Sequence, residues 1–334
     1  MSAQGAFIFG CAGPGLSRDE RAFFREASPW GFILFSRNVE DPEQLRWLTT
    51  ELREAVGREA PIFIDQEGGR VARLRPPHWR AWLPPLDQVA QNRRHAARAM
   101  LIRYRLIADE LQRVGIDGNC APVLDLAQSD THPVLRNRCY GDNVVQVAEI
   151  AAAAAEGLIT GGVLPVIKHI PGHGRATADS HLELPRVTAK EKVLRVSDLL
   201  AFQAVSGLPI AMTAHVVYEA LDPDHPATTS PRVIAMIRET IGFSGLLMTD
   251  DISMQALSGS LEARSRAALV AGCDLVLHCN GEMEEMEAIA AEAGGMNAAA
   301  QARADAALAW RRAPEPVDIA ALEAEFEALM SGAL

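Results

Sequence analysis

Short apolar runs alternate along the chain with longer segments in which apolar residues recur at helical spacing. The runs end in polar or small residues, and the intervening segments are rich in Ala, Leu, Glu and Arg. Strands that alternate with helices predict a parallel sheet, because parallel neighbours need a crossover between them. The predicted strands are residues 6–9, 31–35, 61–64, 118–121, 164–167, 209–213, 245–248 and 274–277.

Eight strands are the number found in a (β/α)8 barrel, and 334 residues exceed the about 250 that such a barrel needs. An open, doubly wound sheet has the same alternation. The barrel is favoured because polar residues fall at or just beyond the predicted carboxyl ends of the strands, where barrel enzymes hold their catalytic groups. We therefore predict an α/β fold with a single TIM-type barrel, forming one catalytic domain over residues 1–334. The polar residues in question are Asp65, Asp125, Lys168, His169, His215 and Asp250.

Capping signals predict where several helices begin. Asp41-Pro42 and Ser230-Pro231 each place a capping side chain before a first-turn proline. Thr188 and Glu191 have the spacing of a capping box, in which each side chain reaches the other residue's backbone N–H. These signals indicate helices that begin directly after Asp41, Thr188 and Ser230.

Composition and charge narrow the classes of function. The net charge of −11 opposes binding to nucleic acid or to an anionic membrane surface, so neither is expected as a partner. No segment has about 20 uninterrupted apolar residues, and the amino terminus lacks the character of a secretion signal. The five cysteines show no CxxC spacing, which argues against a disulfide framework. A cytoplasmic protein is the expectation.

The segment from Lys168 to His181 is rich in titratable side chains. Within it, Asp179-Ser180-His181 suits proton transfer, because a carboxylate beside an imidazole can fix its tautomer and stabilise its charged form. Glycines before this unit predict a loop able to close over a substrate. The alternative is a polar loop whose histidines only bind the backbone.

His169 and His173 have the i,i+4 spacing of the HExxH zinc motif. Pro171 and Gly172 oppose the continuous helix on which that spacing works, and no Glu follows His169. We therefore expect no metal site, with a metallohydrolase as the competing hypothesis.

Asp250 follows directly on a predicted buried strand and on Thr249. At the mouth of a barrel, an ionised carboxylate in this position can attack an electron-poor carbon such as an anomeric centre. The alternative is that Asp250 is simply the N-cap of a helix. A nucleophilic carboxylate and a separate proton donor are the two parts of double-displacement glycoside hydrolysis. We therefore predict Asp250 as the nucleophile and the Asp179/His181 pair as the acid/base.

Two further segments suit a ligand with many hydroxyl groups, since carboxylates and guanidinium groups form directional hydrogen bonds with hydroxyls. An arginine in either segment could instead be a structural ion-pair partner. The segments are residues 65–73 (DQEGGRVAR) and 136–141 (RNRCYG).

In this order, these segments resemble glycoside hydrolase family 3, and within it the short bacterial β-N-acetylglucosaminidases of cell-wall recycling. The resemblance covers most of the chain. It rests on residues 65–73, 121–125 (APVLD), 168–174 (KHIPGHG), 179–181 (DSH) and 249–254 (TDDISM).

The resemblance implies that Asp250 is the nucleophile and His181 the acid/base, with His173 helping to form the loop. It further implies a metal-free and cofactor-free reaction with net retention, and a barrel without the second α/β domain of the family's β-glucosidases. The implied substrate is a muropeptide fragment, N-acetylglucosamine joined β-1,4 to 1,6-anhydro-N-acetylmuramic acid, with or without the peptide. Its N-acetylglucosamine would be surrounded by Asp65, Arg73, Arg138, Lys168 and His169.

Three alternatives remain open besides the metallohydrolase. Within the family, the chain could be a β-glucosidase or a phosphorylase in which phosphate replaces water. Outside it, the chain could be a barrel that binds sugar without catalysis, because a fold does not by itself imply a reaction.

Overall fold

Eight parallel strands close into a barrel in the computed structural model, which describes residues 4–178 and 183–333. Each strand pairs with the next along the chain, and β8 pairs with β1 through Phe7 and Val276. The predicted TIM-type barrel is confirmed, and the open sheet is excluded. The strands are β1 (Gly5–Phe9), β2 (Pro29–Leu34), β3 (Ile62–Ile64), β4 (Gly118–Asn119), β5 (Leu164–Ile170), β6 (Ile210–Thr213), β7 (Leu246–Asp251) and β8 (Leu275–His278).

Every predicted strand overlaps an observed one, but β5 and β7 run three residues further than predicted. Both extensions follow a register shift, between Ile167 and Ile170 in β5 and between Met248 and Asp251 in β7. Such bulges bend a strand and change the direction of its side chains. Lys168, His169 and Asp250 therefore lie within strands and not after them.

Side chains alternate between two hydrophobic clusters along each strand. In β8, Leu275 and Leu277 belong to the cluster inside the barrel, whereas Val276 belongs to the cluster between the barrel and its helices. Burial on both faces explains why the strands read as continuous apolar runs.

The helices surround this barrel. Ala300 and Ala304, on the helix Ala298–Leu308, belong to the interior cluster, so this helix covers the amino-terminal end of the barrel. The helices are α1 (Arg18–Ala27), α2 (Pro42–Val56), α3 (Pro85–Gln91), α4 (Ala96–Gln112), α5 (Pro133–Arg136), α6 (Val144–Thr160), α7 (Glu191–Val196), α8 (Asp198–Gln203), α9 (Pro231–Glu239), α10 (Leu261–Ala271), α11 (Met283–Ala293), α12 (Ala298–Leu308) and α13 (Ile319–Ser331).

Short elements complete the architecture. Two-residue and three-residue strands form a hairpin after β3 and a parallel pair beside the mouth of the barrel. The hairpin consists of Gln66–Gly68 and Val71–Ala72, the pair of Arg186–Val187 and Val217–Tyr218, and the 3₁₀ turns are Ser36–Asn38, Arg93–His95 and Ala227–Thr229.

Two of the three predicted helix starts are confirmed. The Asp41 side chain accepts hydrogen bonds from the N–H groups of the first turn of α2, and Ser230 accepts one from Val233 N. The capping box at Thr188 is wrong, because α7 begins at Glu191 with Lys190 at the N-cap position and no side-chain cap. Strand pairing up to Val187 keeps the chain extended there, which delays the helix.

Within the two described ranges, none of the helices combines the length and apolar character needed to cross a lipid bilayer.

Candidate active site

A cavity of about 320 Å³ opens at the carboxyl ends of the barrel strands. Its volume falls within the range of small-molecule sites in proteins. Six of the eight predicted site residues line it. They are Asp65, Arg73, Arg138, Lys168, His169 and Asp250. The other two, Asp179 and His181, lie outside the described residues.

Asp65 is held between two cations on one side of the cavity. The Lys168 Nζ lies 2.8 Å from Asp65 Oδ1, and the Arg73 guanidinium lies 2.9 Å from Asp65 Oδ2. Burial alone would raise the pKa of Asp65, but the charges of Lys168 and Arg73 outweigh it and hold the pKa well below its usual range. Asp65 is thus an ionised acceptor with fixed donors beside it.

Glu67 is a fully buried carboxylate behind this group. Its Oε1 lies 2.7 Å from Lys168 Nζ, and both its oxygens accept hydrogen bonds from Arg138, at 2.7 and 2.9 Å. Burial opposes its charge, yet Arg138 and Lys168 lower the pKa of Glu67 to about 2. Glu67 therefore stays ionised and fixes the direction of both cations.

Sequence reasoning did not assign Glu67 a role, although it lies in the acidic and basic run at residues 65–73. In the same reasoning Asp125 appears as a strand-end residue and as part of the motif at residues 121–125, without a role of its own. The available signal was an acidic residue within an otherwise buried segment, because a buried carboxylate needs a partner. The sequence alone could not show which cations these partners would be.

Asp125 orients His169. The His169 Nδ1 lies 2.7 Å from Asp125 Oδ2, so the Nδ1 proton is donated to the carboxylate and Nε2 faces Arg138 Nη2 at 3.4 Å. The pKa of Asp125 is lowered to about 2, since its interactions with His169 and His173 outweigh the effect of burial. The imidazole of His169 therefore has one defined tautomer at the cavity wall.

His173 is buried beside this pair. Its backbone N–H donates to Asp125 Oδ1 at 2.6 Å, and its Nε2 has no hydrogen-bond partner among the described residues. Burial, together with the nearby His169, lowers the pKa of His173 to about 3. The imidazole is neutral at physiological pH.

Asp125, His169 and His173 are the one potential metal-ligand group found in the described part of the chain, with ligand atoms within 4.8 Å of one another. Two imidazoles and a carboxylate are a donor set that zinc accepts. However, Asp125 already accepts hydrogen bonds from both histidines, and His169 would have to lose its Nδ1 proton to bind a cation through that atom. The loop after β5 brings the two histidines together without the helix on which the zinc motif depends.

Asp250 lies at the end of β7 and is partly exposed to the cavity. Its Oδ1 accepts a hydrogen bond from Asp251 N at 2.8 Å. Burial alone would raise the pKa of Asp250, but its interactions with the imidazoles of His169 and His215 and with this backbone N–H lower it below its ordinary value. The carboxylate is therefore ionised at neutral pH and faces the cavity.

Asp251 points its carboxylate towards structural partners. Ser253 donates to it through both N–H and hydroxyl, at 3.1 and 2.8 Å, and Cys279 N donates at 3.3 Å. Asp251 also lines the cavity, but these three contacts hold its carboxylate on Ser253 and Cys279.

His215 supports the same peptide segment from behind. Its Nε2 donates to the Asp251 carbonyl at 3.0 Å, and its Nδ1 accepts from the Thr228 hydroxyl at 2.7 Å. Burial lowers the pKa of His215, so the ring is a neutral donor. This contact fixes the backbone that presents Asp250.

The loop that leads to residues 179–182 is anchored at its start. Arg175 forms an ion pair with the buried Asp198 at 2.7 Å, and Thr131 donates to the carbonyl of Gly174. The described part of the loop therefore starts from a fixed position after β5, at the strand end next to His169 and Lys168.

Comparison with known proteins matches residues 16–309 to the family described as "Glycosyl hydrolase family 3 N terminal domain". A "Beta-hexosaminidase" of Alkalilimnicola ehrlichii is 40% identical over 283 residues, which are 83% of this chain and 81% of that protein.

Two solved structures are similar over nearly the whole chain. NagZ from Neisseria gonorrhoeae, in complex with N-trifluoroacetyl-D-glucosamine, shows 30% identity and a TM-score of 0.85, covering 99% of this chain and 97% of that one. A glycoside hydrolase family 3 β-N-acetylglucosaminidase from Paenibacillus sp. shows 28% identity and a TM-score of 0.86, covering 97% of this chain and 67% of that one.

Proposed function

This chain belongs to glycosyl hydrolase family 3, and from that premise we propose that it is a retaining β-N-acetylglucosaminidase with Asp250 as nucleophile and His181 as acid/base. The observation that supports this most strongly is the ionised Asp250 in one cavity with the group formed by Asp65, Lys168 and Arg138. A nucleophilic carboxylate beside fixed donors and acceptors is what hydrolysis of a polyhydroxylated substrate requires.

In the proposed first step, Asp250 attacks C1 of the sugar while the C1–O bond to the aglycone breaks and His181 gives a proton to the departing oxygen. Asp179 stabilises the charged imidazole. In the second step, His181 takes a proton from water, which attacks C1 and releases Asp250. Two inversions give net retention, and no step needs a metal ion or an organic cofactor.

The proposed sugar contacts follow from the charges on the cavity wall. Asp65 accepts hydrogen bonds from sugar hydroxyls, and Lys168 and Arg138 donate to sugar oxygens. Arg73 and His169 complete the ring of contacts. Because Glu67 and Asp125 fix these groups before the sugar enters, little rearrangement is needed on binding.

We propose as substrate N-acetylglucosamine joined β-1,4 to 1,6-anhydro-N-acetylmuramic acid, with or without peptide, as part of cell-wall recycling. Similar proteins that are named for β-hexosaminidase activity, or solved with an N-acylglucosamine analogue, support the choice of sugar. The five cysteines are all buried free thiols, which supports the proposal of a cytoplasmic enzyme.

Paired aryl substrates test the reaction. We expect hydrolysis of an aryl β-N-acetylglucosaminide well above that of the aryl β-glucoside, and the free sugar as main product with or without phosphate. Preference for the glucoside, or a sugar 1-phosphate as main product, would replace the proposal with one of the other family activities.

A pair of substitutions tests the nucleophile. Asp250→Asn is expected to lower kcat by roughly 10³-fold or more, because it removes the attacking charge. Asp305→Asn, at an exposed carboxylate on α12, serves as the matched control and should keep the parent rate. Full turnover by Asp250→Asn would mean that the barrel reacts by another route, while a chelator-sensitive activity restored by zinc would indicate a metallohydrolase.

A further inference from the structure

Arg37 lies at the rim of the cavity and is held in one orientation. Its Nε donates to the Cys11 carbonyl at 3.0 Å, and its Nη2 donates to the Cys279 carbonyl. The guanidinium carbon lies 5.1 Å from the centre of the Phe35 ring. A guanidinium fixed by two carbonyls and an aromatic face still has unused N–H donors.

The contacts of Arg37 differ from those of three other cations on the wall. Lys168, Arg73 and Arg138 each form an ion pair with Asp65 or Glu67. Across residues 4–178 and 183–333, Arg37 forms no ion pair with a carboxylate. Its positive charge is therefore not balanced by a protein anion in the described structure.

A cation at the rim of a concave site attracts a ligand of the opposite sign. The two buried or cavity-lining carboxylates nearest the other cations, Asp65 and Glu67, already pair with Lys168, Arg73 and Arg138. The charge of Arg37 therefore remains for an anion of the ligand. In the described structure the cavity is lined by the cations Arg37, Arg70, Arg73, Arg138 and Lys168 and by the anions Asp65, Asp250 and Asp251.

We propose that Arg37 binds a carboxylate on the aglycone, the part of the substrate that the reaction releases. The inference rests on the proposed function, since an N-acetylhexosamine bound over Asp250 is uncharged and the anion must then belong to the aglycone. The position of Arg37 agrees with this. Arg37 donates a hydrogen bond to the carbonyl of Cys279, directly after β8. The N–H of Cys279 in turn donates to Asp251, which follows the proposed nucleophile on β7.

The test compares two substrates that differ by one negative charge and one methyl group: the disaccharide of N-acetylglucosamine β-1,4-linked to N-acetylmuramic acid, and its methyl ester. The parent chain should hydrolyse the acid with the higher kcat/KM. Arg37→Gln should lower kcat/KM for the acid about 10- to 100-fold further than for the ester, because a charge-assisted hydrogen bond is lost with the acid only. Arg37→Lys should keep part of the preference, since it keeps the charge.

Two controls separate recognition from folding. Arg46→Gln makes the same charge change at an exposed position on α2 and should keep the preference of the parent. In the parent chain itself, raising the salt concentration should lower kcat/KM for the acid more than for the ester.

The outcomes distinguish the two proposals. If the parent cleaves both substrates but Arg37→Gln loses equally on both, Arg37 has only a structural role and the inference is wrong. If the parent cleaves neither the ester nor an aryl β-N-acetylglucosaminide, the proposed function fails, and the inference fails with it.

Discussion

Two fully buried carboxylates, Glu67 and Asp125, fix the polar side chains that face the cavity. Neither oxygen pair faces open solvent, so each carboxylate is stable as an ion only with its cationic and N–H partners in place. Glu67 fixes Lys168 and Arg138, and Asp125 fixes His169. At the scale of single residues, the proposed sugar contacts therefore depend on groups that do not touch the sugar.

Glu67→Gln tests this dependence. Removing the charge while keeping the shape should raise KM and lower kcat/KM by roughly 10- to 100-fold, in line with the loss of a supporting partner at a site. The charges of Asp65 and Glu67 raise the pKa of Lys168 despite its burial. In the variant this pKa should fall, so kcat/KM should begin to decline at a lower alkaline pH than in the parent.

Glu110→Gln provides the matched control, because Glu110 is a largely buried carboxylate on α4 that does not line the cavity. It should leave the pH profile of kcat/KM unchanged. An unshifted alkaline limb in Glu67→Gln, measured from steady-state rates, would show that Glu67 serves folding alone.

At the scale of elements, the bulged ends of β5 and β7 and the loop after β5 shape the site. The loop passes the segment after β4 so closely that a Cβ added to Gly174 would lie 2.0 Å from the Leu126 carbonyl oxygen. Thr131 donates to the Gly174 carbonyl at the same place. Backbone here packs against backbone, and no side chain can be inserted without displacement.

Gly174→Ala is therefore expected to displace the start of the loop that leads to His181. We predict that kcat falls by roughly 100-fold, since a shift of about 1 Å in a catalytic group can have that effect. Gly207→Ala is the control, because a Cβ there meets no atom within 4 Å and should change neither kcat nor stability. Parent-like rates for Gly174→Ala would contradict the assigned loop geometry.

At the scale of the whole molecule, the alternation of strands and helices was enough to predict all eight strands, and the polar residues at the strand ends favoured the barrel over an open sheet. The ends of β5 and β7 were predicted too early, because bulges add polar residues to a strand after its apolar run has ended. The helix start at Thr188 was wrong because strand pairing with Val217–Tyr218, a tertiary contact, overrides a local capping signal.

The candidate site was predictable to a similar extent. The positions of four residues at strand ends predicted that they lie together at one end of the barrel. They are Asp65, Lys168, His169 and Asp250. The supporting residues Glu67, Asp125 and His215 received no role, since their importance depends on which cation or backbone group they meet across the barrel. Such pairings depend on the tertiary structure, and no periodic pattern in the sequence indicates them.

The titration of Glu110 is expected to make the stability of the whole chain depend on pH. Burial raises the pKa of Glu110 to about 7, so the folded chain holds this proton more tightly than the unfolded chain does. The contribution of Glu110 to the free energy of unfolding is present at acid pH and is lost as pH rises from about 4.5 to about 7, by up to about 3 kcal/mol.

Glu110→Gln should remove this loss. Denaturant unfolding at pH 5 and pH 8 measures it: the variant should gain stability over the parent at pH 8 and not at pH 5. An equal difference between variant and parent at both pH values would show that Glu110 does not titrate in this range.

The proposed mechanism requires a covalent bond between Asp250 and the sugar. Mass spectrometry of a chain quenched during turnover of an aryl β-N-acetylglucosaminide detects this bond. We expect a peptide containing Asp250 that is heavier by one N-acetylglucosaminyl group and that returns to its original mass when the substrate is exhausted. Turnover at full rate with every peptide unmodified, or with the sugar on another residue, would contradict it.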